Sequence, residues 1–184
     1  MSKLGAGFSK FLLKMGGWKI EGVIANHIPK KVLIGAPHTS AWDLLLGLLV
    51  RSAVQARIQF VGKASLFKPP LGWFMKWIGG VPVDRSKTNN FVDSVVEVFN
   101  QREEFTFFLA PEGTRKKVEK FKTGFYYIAH KAQVPIQMIA LNFKDKVVKF
   151  SEPFYTSDNA EKDIGFVENY FRGIIGKVPE KSFI

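Results

Sequence analysis

The chain of 184 residues contains no cysteine. That excludes disulfides, thiolate metal sites and a cysteine nucleophile, and gives no pointer to an oxidising compartment. Long apolar runs are missing too. The longest clean one, Leu44 to Val50 between Asp43 and Arg51, falls far short of the roughly 20 residues a helix needs to cross a bilayer. No transmembrane helix is expected. The N-terminus carries Lys3 and Lys10 but neither a sustained apolar stretch nor a small-residue cleavage site, which argues against a signal peptide and for a cytoplasmic protein. Negative charge is scarce, with 16 Asp and Glu against 27 Lys and Arg, a formal net charge of +11. Polyanions should therefore be attracted: nucleic acid, anionic lipid headgroups or phosphorylated small molecules. There is no internal repeat, low-complexity tract or interdomain linker.

What is present is apolar material for one good core: 46% hydrophobic residues and 14% aromatic, with 18 Phe. At this length one domain is expected, not two. Leu4, Phe8, Phe11, Leu12 and Met15 recur at helical spacing among Lys and Ser, describing an amphipathic basic helix within residues 1–20. Its apolar stripe either lies on a membrane or packs on the core of the domain over 21–184, and Gly5, Gly7, Gly16 and Gly17 weaken it as an isolated helix. Lys31 to Ala36 reads as a strand, and Ser40 begins a helix through Ala56. Ile58 to Gly62 reads as a strand, Pro70 to Ile78 as a short helix, and Val81 to Val83 as an extended piece. A helical face follows at Phe91, Val95, Val98 and Phe99, then a strand over Phe105 to Ala110. Lys122 to Gln133 reads as helix, with strands over Val134 to Asn142 and Lys146 to Phe150. The last helix carries Ile164, Val167, Phe171 and Ile174 after a cap at Ser157 or Asp158. Strands alternating with helices predict an α/β fold: a single layered domain with a largely parallel β-sheet flanked by helices, plus the N-terminal amphipathic helix.

Three segments carry chemistry. His38 lies just past a strand end and before a helix start, where side chains and free backbone N–H groups converge. In continuous helix, His38 and Asp43 would point roughly 140° apart. They meet only if His38 sits in the turn before the helix, which Pro37 and a cap at Ser40 allow. Asp43 can then accept a hydrogen bond from Nδ1–H of the imidazole, fixing its tautomer and leaving Nε2 to draw a proton from a hydroxyl. The competing reading is that Ser40-Ala41-Trp42-Asp43 is a capping box and His38 incidental. In the second segment, Pro111 to Arg115 opens a basic stretch. Gly113 would let backbone approach a ligand there, and Arg115 offers a fork to phosphate, unless this is an ordinary turn beside a solvated charged face. In the third, Gly62 to Trp77 interleaves three Lys with bulky apolar groups, a mixture suited to a lipid interface. It runs on to Asp84 and Arg85, where Arg85 is a second phosphate ligand. Alternatively Trp73, Phe74 and Trp77 are core and Asp84-Arg85 a surface pair.

In order and in register, these segments resemble the glycerophospholipid acyltransferase family, which includes the 1-acyl-sn-glycerol-3-phosphate acyltransferases. His38 and Asp43 match its His-x4-Asp motif, and Lys63 through Arg85 resembles its acceptor-binding motif. Glu112-Gly113-Thr114-Arg115 matches Glu-Gly-Thr-Arg, and Val134-Pro135-Ile136 resembles the start of the fourth motif. The resemblance covers about residues 30 to 140. It implies that His38 deprotonates the acceptor hydroxyl, which attacks the thioester of acyl-CoA or an acyl carrier protein, while Asp43 orients His38. It implies that Lys63, Arg85 and Arg115 hold the acceptor phosphate, and it counts Glu112, Gly113 and Thr114 in the same site, Glu112 in a positional role. No metal or bound cofactor is implied; the partners are a lysophospholipid or glycerol-phosphate acceptor, the acyl thioester donor and an anionic membrane surface, with no nucleic acid. Backbone N–H groups at the helix start after His38 are expected to stabilise the oxyanion. The chain departs from the family at Met138, where a second proline is usual in the wall of the lipid pocket, and in having only the segment from Leu4 to Met15 for N-terminal membrane attachment, which would then be peripheral and on the cytoplasmic face. A lipid-binding protein without catalysis and a basic nucleic-acid-binding module are the readings from other classes.

Overall fold

The computed structural model describes residues 3–83 and 91–183. The strand with the most continuous apolar run, β2 (Lys30–Ala36), is buried on both faces, as strands inside parallel sheets are. It pairs in parallel with β5 (Phe105–Leu109) on one side and β6 (Ile136–Asn142) on the other. β3 (Ile58–Lys63) adds to β5, and β4 (Gly80–Val83) to β3, both in parallel. A tight turn with Lys146 at φ +52° sends β7 (Val147–Phe150) back antiparallel to β6. β1 (Lys19–Glu21), a strand not read from the sequence, then pairs with β7. The sheet order is β1-β7-β6-β2-β5-β3-β4, and the five parallel strands from β6 to β4 all end at one edge.

Side chains alternate along β2, so it feeds two cores. Val32, Ile34 and Ala36 face a cluster made with α4 (Phe91–Gln101), α5 (Gly124–Ala132) and α6 (Ala160–Phe171). Leu33 faces the second cluster, with Leu46 and Val50 of α2 (Trp42–Ala53) and Leu13 of α1 (Lys3–Met15). α3 (Gly72–Trp77) lies beside α2, joined to it where Arg51 Nη1 donates to the Ile78 carbonyl at 2.6 Å. Before α3, Phe67 wedges between Gly62, Gly72 and Gly80, and a side chain at any of the three would run into it.

Three local expectations change. α2 starts at Trp42 with Ala41 as its cap, although Ser40 Oγ still accepts the Trp42 N–H at 3.3 Å. α6 is capped by Asn159, which accepts the Lys162 N–H. Ser157 serves elsewhere, giving its N–H and hydroxyl to Asp163. On α1 the buried face is Ala6, Ser9 and Leu13; the first two are small and let the helix pack against α2, where Ser52 Oγ donates to the Gly5 carbonyl. The apolar stripe of Leu4, Phe8, Phe11 and Met15 therefore points outward, Leu4 at 86% exposure. Trp73 and Trp77 are exposed as well, Trp73 at 77%, which rules out their being core. No helix among the described residues is long and apolar enough to cross a membrane.

Candidate active site

β2 delivers Pro37-His38-Thr39-Ser40 to the edge where the parallel strands end, and α2 begins two residues later. Asp43, in the first turn of α2, points back into this loop and is 5% exposed. Its Oδ2 accepts the Thr39 N–H at 2.7 Å and the Ser40 N–H at 2.9 Å, and lies 3.1 Å from His38 Nδ1. Oδ1 is buried without a partner among the described residues. An oxygen already receiving two backbone N–H groups acts as an acceptor toward the ring as well, a geometry that favours the tautomer with its proton on Nδ1 and leaves Nε2 as the ring's acceptor. Asp43 thus ties down the helix entrance and also meets the imidazole, so the cap and the ring contact use the same carboxylate oxygen. The same bonds commit most of the N–H groups expected as oxyanion donors. The N–H groups of His38, Thr39, Ser40 and Trp42 are committed to Glu112, Asp43, Asp43 and Ser40 Oγ respectively.

Below His38, on the α1–α2 side of the sheet, is a cavity of about 150 Å³ with an almost wholly apolar lining. His38 and Asp43 stand at one end. Leu33 and Gly35 of β2, Phe108 of β5, Ile139 and Leu141 of β6, and Gly47 and Val50 of α2 form its walls, and Arg51 lies at the end farther along α2. Gly35 has to be glycine because a Cβ would strike the Phe108 ring. At Gly47 a Cβ meets nothing within 4 Å. Burial lowers the pKa of the Arg51 guanidinium, and its Nε has no partner among the described residues. The wall contributed by β6 is Ile139 and Leu141; Met138 faces the opposite core, so its departure from the expected proline leaves this cavity unaffected.

Of the predicted phosphate ligands, Lys63 and Arg115 are brought to the same edge, and neither bonds to His38. Lys63 is exposed at the end of β3, and Arg115 is exposed in the turn after β5. Arg85 lies outside the described residues. Thr114 Oγ1 accepts the Lys116 N–H at 3.2 Å. Gly113 has φ +64°, and a Cβ there would collide with the Lys122 side chain, its Nζ at 2.8 Å. The close approach foreseen at this glycine is thus made by Lys122 of the chain itself. No three His, Asp or Glu side chains among the described residues gather as metal ligands. The sequence reading missed the cavity, although a glycine inside an apolar strand and another inside a helix, Gly35 and Gly47, were its signals.

Glu112 is 2% exposed, and its Oε2 accepts the His38 N–H at 2.8 Å. Its role is to hold the His38 backbone from the neighbouring strand. Burial pushes its carboxyl from the ordinary 4.5 up to about 7, against the opposing pull of the His38 amide and ring and with a further push from the Asp43 charge. Below pH 4.5 folded and unfolded chains both hold this proton. Between there and about 7 only the folded chain keeps it, so this group's contribution to stability declines as pH rises through that window. Glu112→Gln keeps an acceptor for the His38 amide and has no proton to lose. Urea unfolding of the variant across pH 4.5 to 7.5 should show a smaller decline than the parent; a decline of parental size would mean that Glu112 does not titrate in this window.

No curated protein is significantly similar to the chain in sequence. In fold it resembles the crystal structure of the 1-acyl-sn-glycerophosphate acyltransferase PlsC from Thermotoga maritima, with a TM-score of 0.59 at 23% identity, over 91% of this chain and 75% of that one. The family model described as Acyltransferase matches residues 19–142, more than half of the chain, with His38, Asp43, Glu112 and Arg115 inside the matched span. The chain belongs to the Acyltransferase family.

Proposed function

We propose that this acyltransferase moves a fatty acyl group from the thioester of acyl-CoA or an acyl carrier protein to the free hydroxyl of 1-acyl-sn-glycerol 3-phosphate or a related lysophospholipid. The observation that carries the proposal is His38, held by Asp43 Oδ2 through Nδ1, at the mouth of an apolar cavity. Nε2 takes the hydroxyl proton as the oxygen attacks the thioester carbon. When the tetrahedral adduct collapses, the carbon–sulfur bond breaks and the imidazolium returns the proton to the departing thiolate. Asp43 fixes the ring and stabilises the imidazolium between these steps. The apolar cavity suits the acyl chain. Lys63 and Arg115, with Lys122 beside Gly113, supply cations for a phosphate at the same edge, the family resemblance adds Arg85 to them, and the likeness to PlsC supports a glycerophosphate acceptor. Neither metal nor bound cofactor enters these steps.

We further propose that the enzyme works on an anionic membrane surface. Leu4, Phe8 and Phe11 of α1, Trp42 and Leu44 of α2, and Trp73 and Trp77 of α3 are exposed apolar groups on helices that cover one side of the sheet. Exposed apolar groups of this kind on a chain of charge +11 suit an interface of lipid tails and anionic headgroups.

His38→Ala should lower kcat by on the order of 10²- to 10⁴-fold while the chain stays folded, and Arg115→Ala should chiefly raise the acceptor KM; undiminished turnover by the His38 variant would contradict the mechanism. Gly47→Leu would fill part of the cavity and gain about 1 kcal/mol of helix stability. Offered a mixture of acyl-CoA lengths, this variant should shift its products toward shorter chains by mass spectrometry. An unchanged product distribution would put the acyl chain elsewhere.

A further inference from the structure

After α6 the chain returns to the active-site edge of the sheet, and residues 174–183 lie against the loop that carries His38. Three bonds fix this strap. The Ile175 carbonyl accepts the Phe143 N–H at 2.8 Å, just past β6. The Val178 N–H donates to Thr39 Oγ1 at 3.2 Å. Fully buried Ser182 Oγ accepts the Gly176 N–H at 2.9 Å, closing the strap on itself around a short 3-10 turn (Pro179–Lys181). Phe183 is buried beyond it against Phe121 and Phe171, with ring centroids 4.2 Å apart in the first pair.

At Gly176 the strap touches the catalytic loop. A Cβ on this residue would stand 2.7 Å from Thr39 Cγ2 and Oγ1 and 3.0 Å from Pro37 Cγ. Backbone is thus pressed directly onto the residues on either side of His38. Thr39 is itself buried, and its N–H is the shortest of the three bonds to Asp43 Oδ2. A residue held from below by the strap and from above by Asp43 has no freedom to drift. The strap lies outside the span matched by the family model, residues 19–142.

We propose that residues 174–183 position the catalytic loop, with Gly176 and Thr39 as positioning residues that hold Asp43 and His38 in register. The proposal rests on the reading of His38 as the base. Neither residue touches substrate; each acts by fixing the Thr39 N–H, hence the carboxylate, hence the imidazole. A displacement of an ångström in such a chain of bonds costs up to on the order of a hundredfold in rate.

The test is steady-state kinetics with acyl-CoA and 1-acyl-sn-glycerol 3-phosphate on the full chain carrying Gly176→Ala, Thr39→Val or Thr39→Ser, with His38→Ala alongside and folding checked by thermal melts. Gly176→Ala and Thr39→Val should each lower kcat by on the order of tenfold or more, with the acceptor KM within about twofold of the parent. Thr39→Ser retains the hydroxyl that accepts the Val178 N–H and should recover most of the rate lost with Val. If Gly176→Ala does not fold, the Val and Ser pair decides. Parental kcat in the folded Thr39→Val chain beside an inactive His38→Ala chain would overturn the strap's role alone, as would a Ser variant as slow as Val. Full turnover by His38→Ala would overturn the base assignment itself.

Discussion

Asp43 Oδ2 receives two backbone N–H groups and faces one imidazole, and the active-site end of the fold is organised around it. Hydrogen bonds to an ionised acceptor contribute about 1.5–3 kcal/mol each, enough for one oxygen to fix the conformation of a four-residue loop. The loop needs fixing because its backbone is in neither strand nor helix. Pulled in by Asp43, Thr39 and Ser40 turn their amides inward, and His38 is left half-exposed, its side chain 35% accessible, at the mouth of the apolar cavity.

The surroundings of this carboxylate come from sequence-distant parts of the chain. Glu112 reaches across from the end of β5 to the His38 amide, and the segment after α6 closes on Thr39 from below. The parallel sheet makes this possible, because every parallel strand ends at the same edge and hands its following loop to the same crevice. A hydrocarbon chain and a charged headgroup need opposite surroundings. Here the apolar cavity runs under α2, and the cations of the turns after β3 and β5 stand at the rim.

Much of the framework was legible because its signals are local. The apolar run of β2, the alternation of strands with helices and the rotation argument for His38 and Asp43 each depend on a few neighbouring residues. The capping and catalytic readings of Ser40 to Asp43 could not be separated from sequence because both use the same carboxylate; in the structure its cap bonds and its contact with the imidazole coexist. Where the outcome depends on which neighbour covers a surface, sequence had less to say. The period of α1 marks an apolar stripe, but the small face of Ala6 and Ser9 is what packs, since close helix contact favours small side chains there. β1 is three residues long and has no periodicity to detect. The contact of Gly176 with Thr39 joins residues at opposite ends of the chain, and nothing local marks it.

The most direct test of the account is a single substitution, Asp43→Asn. The side-chain oxygen of the introduced amide can still accept from Thr39 and Ser40, so the helix entrance keeps its bonds and the chain should remain folded. That oxygen also stays within reach of His38 Nδ1, but it no longer carries a negative charge to stabilise the imidazolium that forms when the base takes its proton. Measured with acyl-CoA and a lysophospholipid acceptor, kcat should fall by on the order of 10²- to 10⁴-fold with a native-like thermal melt. A folded Asp43→Asn variant with parental kcat would contradict the claim that this carboxylate's charge supports the catalytic base.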